Sequence, residues 1–213
     1  MMVHQISDHG CRCRSMLNLA GFLPRSAANG PGIRAVVWVQ GCPIRCRGCF
    51  NPLSWSFSPI NIVPADELAG RILATGGVDG VTFSGGEPFA QADALASVGE
   101  WVREAGLTVV TYTGYTYEEL TARDDPAWNR LLDVTDLLLA GPYIGTMACN
   151  DPYIGSSNQQ VITLTGRIRP ESPQEKAPEE IIEFSIAPDG MVTTTGFPKE
   201  TMVRQIAARC RGE

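Results

Sequence analysis

The stretch Ala35-Val36-Val37-Trp38-Val39-Gln40-Gly41-Cys42-Pro43-Ile44-Arg45-Cys46-Arg47-Gly48-Cys49 joins two signals that together decide the fold. Residues 35–39 are β-branched, aromatic or small and lie between glycines, which reads as a buried strand. Directly after it, Cys42, Cys46 and Cys49 form a C-x-x-x-C-x-x-C loop. Proline, glycine and two arginines interleave the thiols, which does not suit a packed helix or strand face, so small buried apolar residues are the weaker reading. A structural zinc site wants four ligands, and no fourth Cys or His follows at zinc-like spacing. A 4Fe-4S cluster on three thiolates instead leaves one iron open to a substrate or cofactor. Arg45 and Arg47 would offset the negative charge of such a cluster, although arginines on a solvated loop would look the same.

Working outward, the pattern alternates. Pro64 to Ala74 opens with acids in its first turn and reads as a helix, followed by a strand at Val81-Thr82-Phe83. Ala90 to Ala105 spaces Leu95, Val98, Trp101 and Val102 as a helix does, and Leu107 to Tyr112 is strand-like. Short helices at Tyr117 to Arg123 and Ala127 to Leu132 precede strands at Asp136 to Ala140 and Val161 to Leu164. Strands separated by helices imply an α/β fold on a parallel sheet, either open or curled into a partial barrel. Trp38, Phe83 and Trp101 read as core packing.

The two ends differ from this body. Residues 1–16 are expected to be disordered, and Met16 is a plausible translation start. Residues 17–166 form the main domain. From Arg167 to Glu179 the composition turns to Pro, Glu, Gln and Lys, a linker signature, so 167–213 reads as a linker and a small appendage. Within it, Pro188-Asp189-Gly190 separates two alternating runs as a hairpin turn would, and Lys199 to Arg209 reads as a short amphipathic helix.

A formal charge of -6 over 213 residues disfavours a broad basic surface for nucleic acid. No apolar run approaches the roughly 20 residues of a membrane span, and none near the start suits a signal peptide, so a cytoplasmic location without membrane contact is expected. In that reducing compartment the seven cysteines are read as metal-binding or chemical rather than as disulfides. Cys11 and Cys13 with His4 and His9 match no familiar ligand spacing. Those are the only two histidines, so a chain beginning at Met16 has no imidazole for base or triad catalysis.

A second constellation, Thr82-Phe83-Ser84-Gly85-Gly86-Glu87-Pro88, ends a strand in glycines and an acid. Beyond the carboxyl ends of parallel strands, glycines admit close backbone approach and a carboxylate can pair with an ammonium group. Alone, it reads as a βα turn with Glu87 near a helix start.

Asn29-Gly30-Pro31-Gly32-Ile33-Arg34, the cysteine loop through Phe50-Asn51-Pro52, and Ser84-Gly85-Gly86-Glu87-Pro88 together resemble the radical S-adenosylmethionine superfamily. Within it the chain is most like activating proteins of glycyl radical enzymes, especially that of anaerobic ribonucleotide reductase. Thr111 to Tyr115, Asp136 to Pro142 and Gly155 to Gln160 extend the likeness over residues 17–165 in the right order. The resemblance implies a partial (β/α)6 barrel over 17–166 with a 4Fe-4S cluster at its mouth on Cys42, Cys46 and Cys49. It implies that S-adenosylmethionine chelates the open iron while Ser84, Gly85, Gly86 and Glu87 line its amino end. One electron then cleaves the sulfonium to methionine and a 5'-deoxyadenosyl radical, which abstracts hydrogen. Burial in a barrel would keep that radical from water.

The chain departs from the family in places. Many members place an aromatic before the third cysteine, where Gly48 stands, so the adenine contact is assigned to Phe50. Ala140 and Pro142 stand where activating enzymes often carry an acid and a lysine. Thr113 and Asn158 are then candidates for ribose or carboxylate contacts, and either would equally serve as a turn cap. Cys149 lies in a loop after a strand, as a hydrogen-atom donor or an incidental thiol.

The function expected is formation of a glycyl radical on a partner such as anaerobic ribonucleotide reductase, with an electron donor such as flavodoxin or ferredoxin. The same chemistry aimed at a small metabolite or ribosomal peptide is the alternative, favoured by Ala140, Pro142, Cys149 and the appendage. A non-catalytic iron-sulfur electron-transfer or sensing module would gain little from a three-thiol site or the Gly-Gly-Glu turn.

Overall fold

The computed structural model describes residues 15–170, 182–186, 192–196 and 208. Its strands are β1 (Met16–Ser26), β2 (Arg34–Val39), β3 (Ile62–Pro64), β4 (Gly80–Gly85), β5 (Thr108–Thr113), β6 (Leu137–Ala140) and β7 (Gln160–Thr163), joined in one sheet of order β3-β1-β2-β4-β5-β6-β7. β2, β4, β5 and β6 run parallel, whereas β1, β3 and β7 are antiparallel additions at the flanks. Four parallel strands thus stand where six strand-helix units were expected, and the architecture is mixed α/β around a mostly parallel sheet. The physical reason lies after β6. The chain there makes only a 3-10 turn at Gly145–Met147 before β7, and without a crossover helix it returns antiparallel.

The helices are α1 (Ala65–Ala74), α2 (Ala92–Glu104), α3 (Tyr117–Ala122) and α4 (Pro126–Val134). Each begins where local chemistry permits. Thr116 and Glu119 form a reciprocal capping box on α3, and the Asp125 carboxylate accepts from Ala127 N and Trp128 N, with Pro126 in the first turn of α4. α1 buries Ala65, Leu68, Ala69 and Ile72, one stripe at helical spacing. α2 approaches α4 closely at Gly99, where a Cβ would stand 2.6 Å from Val134 Cγ2. These helices cover one face of the sheet through Val37, Val39, Val81, Phe83, Val109 and Leu138. Tyr153, Ile154 and Ile168 cover the other at Val110, Leu137 and Leu139. None of the described helices is long and apolar enough to cross a membrane.

Met16, counted in the segment expected to be disordered, belongs instead to a strand, paired with Pro64, while residues 1–14 lie outside the described ones. β1 was not legible as a strand, because its burial follows no period of two and bulges interrupt its pairing with β2. The expected hairpin is present as β8 (Glu183–Ile186) and β9 (Val192–Thr195), antiparallel to each other. It is tied to the body: the Glu183 carboxylate accepts from Ser26 Oγ and, at 2.8 Å, from Ala27 N. Asn29 and Thr195 exchange hydrogen bonds at 2.8 and 3.1 Å. The Lys199 to Arg209 helix and most of the proposed linker lie outside the described residues, but Arg167 is anchored on Asp136, Gly106 O and Leu107 O.

Candidate active site

The cysteine loop leaves the carboxyl end of β2 and is held from behind by the 3-10 turn Pro52–Trp55. Gly41 N donates to Ser54 O at 2.8 Å and Cys42 N to Trp55 O at 3.1 Å. Gly41 adopts φ +101°, and the Phe57 ring fills the space beside it, 2.6 Å from where a Cβ would stand. Arg45, at φ +53°, is the one described non-glycine residue in the left-handed region. That turn accompanies two donors on one sulfur: the amides of Ile44 and Arg45 both reach Cys42. Tyr143 N–H donates to Cys46, and Asn51 N donates to Cys49 Sγ at 3.3 Å. Burial pushes the Cys42 and Cys46 thiols up, and the amides oppose it. Every thiol of the loop therefore meets a backbone donor suited to a thiolate.

Cys42, Cys46 and Cys49 line one cavity of about 120 Å³ together with Ser84, Gly85, Gly86, Glu87 and Thr113. Parallel pairing of β2, β4 and β5 brings their carboxyl ends side by side. The glycines serve that approach: a Cβ on Gly86 would lie 2.3 Å from Gly41 O, and Gly86 N and Glu87 N donate to Val39 O and Gly41 O. Glu87 is buried, and its carboxylate accepts from Phe89 N, Thr113 Oγ1 and Gly114 N at 3.0, 2.9 and 2.9 Å. Burial outweighs those donors and lifts its pKa to about 7. None of its hydrogen bonds among the described residues comes from a Lys or Arg side chain, so the cavity holds a carboxylate short of a counter-charge. Thr113 is occupied by Glu87 and accepts from Tyr115 N.

Phe50 and Asn158 are expected from the sequence; Tyr143, Gln159, Tyr112 and Gly114 have no role assigned there. Phe50 packs on Tyr143 with ring centroids 4.9 Å apart, and a Cβ on Gly155 would meet both rings at 3.1–3.3 Å. A Cβ on Gly48 would lie 3.5 Å from Tyr143 Cε1, so the Tyr143 ring borders the space that a side chain before Cys49 would enter. Gln159 accepts from Gly155 N and Ser156 N and donates to Gly141 O, binding this loop to the end of β6. Asn158 donates to Pro142 O at 2.7 Å, but its Oδ1 is buried with no donor. Tyr143, Gln159, Tyr112 and Gly114 also line the cavity. All four arrive by tertiary placement, although Tyr112, Gly114 and Gln159 lie in stretches that carry the family likeness, and the glycine before Cys49 is the one sequence sign of Tyr143. Cys149 is exposed, bonds weakly to Ile154 O at 3.8 Å, and does not line the cavity. A larger hollow of about 360 Å³ between Tyr117, Leu132 and Leu164 contains Asp133 but no thiol.

The residues fit an iron-sulfur cluster better than a single ion. Among the described residues no three Cys, His, Asp or Glu side chains gather on one point, so the three thiols ring a cavity instead. The orphaned Asn158 oxygen and the uncompensated Glu87 carboxylate then ask for a ligand bearing donors and positive charge.

Residues 28–162 match the family model described as "4Fe-4S single cluster domain". The anaerobic ribonucleoside-triphosphate reductase-activating protein of Vibrio cholerae is 31% identical over 162 residues, covering 70% of this chain and 99% of that one. The pyruvate formate-lyase-activating enzyme of Clostridium pasteurianum is 38% identical over 108 residues, 46% of this chain and 44% of that one. The chain thus spans under half the length of that relative. QueE from Escherichia coli aligns over 48% of this chain and 53% of its own at 17% identity and a TM-score of 0.38. With the three-thiol cavity, the match over 28–162 and near-complete coverage of the Vibrio protein, the chain belongs to the radical S-adenosylmethionine superfamily, in the 4Fe-4S single-cluster family alongside activating proteins of glycyl radical enzymes.

Proposed function

We propose that this chain reductively cleaves S-adenosylmethionine to generate a glycyl radical on a partner enzyme, anaerobic ribonucleotide reductase being the partner class its relatives favour. The observation carrying this reading is the shared cavity of Cys42, Cys46, Cys49 and Glu87. The cluster, when bound, supplies the single electron for the cleavage. Cys42, Cys46 and Cys49 would hold it, with the amides of Ile44, Arg45, Asn51 and Tyr143 supporting their negative charge. Glu87 would balance the ammonium group of S-adenosylmethionine, with the Ser84-Gly85-Gly86 backbone as the adjoining wall, a reading supported by their lining the same cavity as the thiols. Phe50 and Tyr143 offer an aromatic surface for adenine, and Asn158 and Thr113 offer polar atoms to a ribose. Tyr153, Ile154 and Ile168 keep the unhelical face of the sheet dry, as radical chemistry needs. A partial barrel belongs to the same reading.

The test is anaerobic reconstitution, reduction and addition of S-adenosylmethionine, followed by chromatography for 5'-deoxyadenosine. Product is expected from the parent and none from Cys46→Ala, which should also lose bound iron. A glycyl radical signal on added reductase identifies the partner. Product formed without that signal favours a small-molecule or peptide substrate.

A further inference from the structure

The cysteine loop has a polar support outside the cavity. Gln40, between β2 and Gly41, is 2% exposed, and its side chain crosses to the turn behind the loop, where Nε2 donates to Ser56 O at 2.7 Å and to Leu53 O at 3.3 Å. Its backbone is held from the other side. Gln40 N donates to Asn18 O at 2.8 Å, and Gln91 Nε2 donates to both Gln40 O and Asn18 O at 2.9 Å. Asn18 N returns a hydrogen bond to Gln91 Oε1 at 2.8 Å. β1, the residue before α2 and the turn are thus joined at Gln40 through uncharged amides, and the join buries no charge.

The turn so held is the one that touches the thiols. Ser54 O and Trp55 O accept from Gly41 N and Cys42 N. The same turn reaches Cys49: Ser54 N and Oγ donate to Asn51 O at 3.0 and 2.7 Å, and Asn51 N donates to Cys49 Sγ at 3.3 Å. An amide donor on a cluster thiolate favours the state carrying the extra electron, because part of the added negative charge falls on sulfur. We propose that Gln40 is a positioning residue of the cluster site, holding the 53–56 turn so that the Asn51 amide stays on Cys49 and reduction is favoured. The inference rests on the cluster reading above. Gln40 acts through the turn, since it does not line the cavity itself.

The experiment compares the parent with Gln40→Met, which keeps the length of the side chain without its donors, and with Gln40→Asn, one methylene shorter. Gly99→Leu, which crowds Val134 between α2 and α4, controls for a general loss of stability. In reconstituted protein, a reductive titration followed by EPR should find the reduced-to-oxidised ratio of Gln40→Met lowered about tenfold at a given potential, about 59 mV for one electron, at parental iron content. In the cluster-free chain, hydrogen exchange at residues 41, 42 and 51 should run about tenfold faster in Gln40→Met than in the parent. Gln40→Asn should show both changes at about threefold and carries the test if Gln40→Met does not fold. Gly99→Leu should keep the parental potential. A parental potential in both Gln40 variants, parental exchange at those amides, or an equal shift of potential in Gly99→Leu overturns the proposal. Failure of the cluster reading would appear separately, as a parent that binds no iron while its amide exchange still responds to Gln40.

Discussion

Glu87 is where one side chain serves both fold and chemistry. Its three donors tie the turn after β4 to that after β5, yet burial holds its pKa at about 7 against an ordinary 4.5. A raised carboxyl pKa means that the unfolded chain loses the proton first. This group's contribution is therefore fully favourable below about pH 4.5, declines as pH rises through about 7, and is flat only beyond that; the window corresponds to about 3 kcal/mol. Urea unfolding of the cluster-free protein between pH 4.5 and 8 should show that decline, and Glu87→Gln should remove this component. With the cluster reconstituted, Glu87→Gln should retain iron but bind S-adenosylmethionine at least tenfold more weakly, measured by calorimetry. The importance of Glu87 was legible because it follows two glycines at a strand end. Its hydrogen bonds to Thr113 and Gly114 were not, since strand pairing sets them.

Among the elements, β2 shows how a strand start is secured. Arg34 is buried and donates to Thr82 Oγ1, Val81 O, Pro31 O and Thr108 O, with no carboxylate among these partners. Burial pulls its pKa down to about 10, still cationic at neutral pH. It knits the amino ends of β2, β4 and β5 across the sheet from the cysteine loop. Arg34→Met should cost about 3 kcal/mol in urea unfolding, because several buried acceptors lose their donor. In the same way Gly99→Leu in α2 should cost about 2 kcal/mol or more, since Val134 already fills that space. The parallel strands and their helices were readable from apolar period and length. β7's direction was not, because it depends on a connection whose polar sequence does not announce the missing helix.

Across the whole molecule, the covalent spacing of Cys42, Cys46 and Cys49 made the site's core visible from the sequence, while its far wall came from residues 141–159. Tyr143 carries no motif of its own and is disclosed by its packing against Gly48, Phe50 and Gly155, while Gln159 lies in the Gly155 to Gln160 likeness but shows its task only through its bonds to Gly155, Ser156 and Gly141. Cluster assembly should be proton-linked: loading displaces protons from thiols that burial has raised, so iron binding should weaken as pH falls below 7, which anaerobic titration followed at 400 nm checks. The matched family region ends at residue 162, well before β8 and β9. Yet that late hairpin holds Ser26, Ala27 and Asn29, in the loop leading to β2. A ribosome must therefore read through Thr195 before the early glycine-rich bend acquires its last partners. Trimming the tail ahead of Glu183 should leave that bend open to proteases near Ala27, a nick that mass spectrometry after brief trypsin treatment would reveal at Arg25.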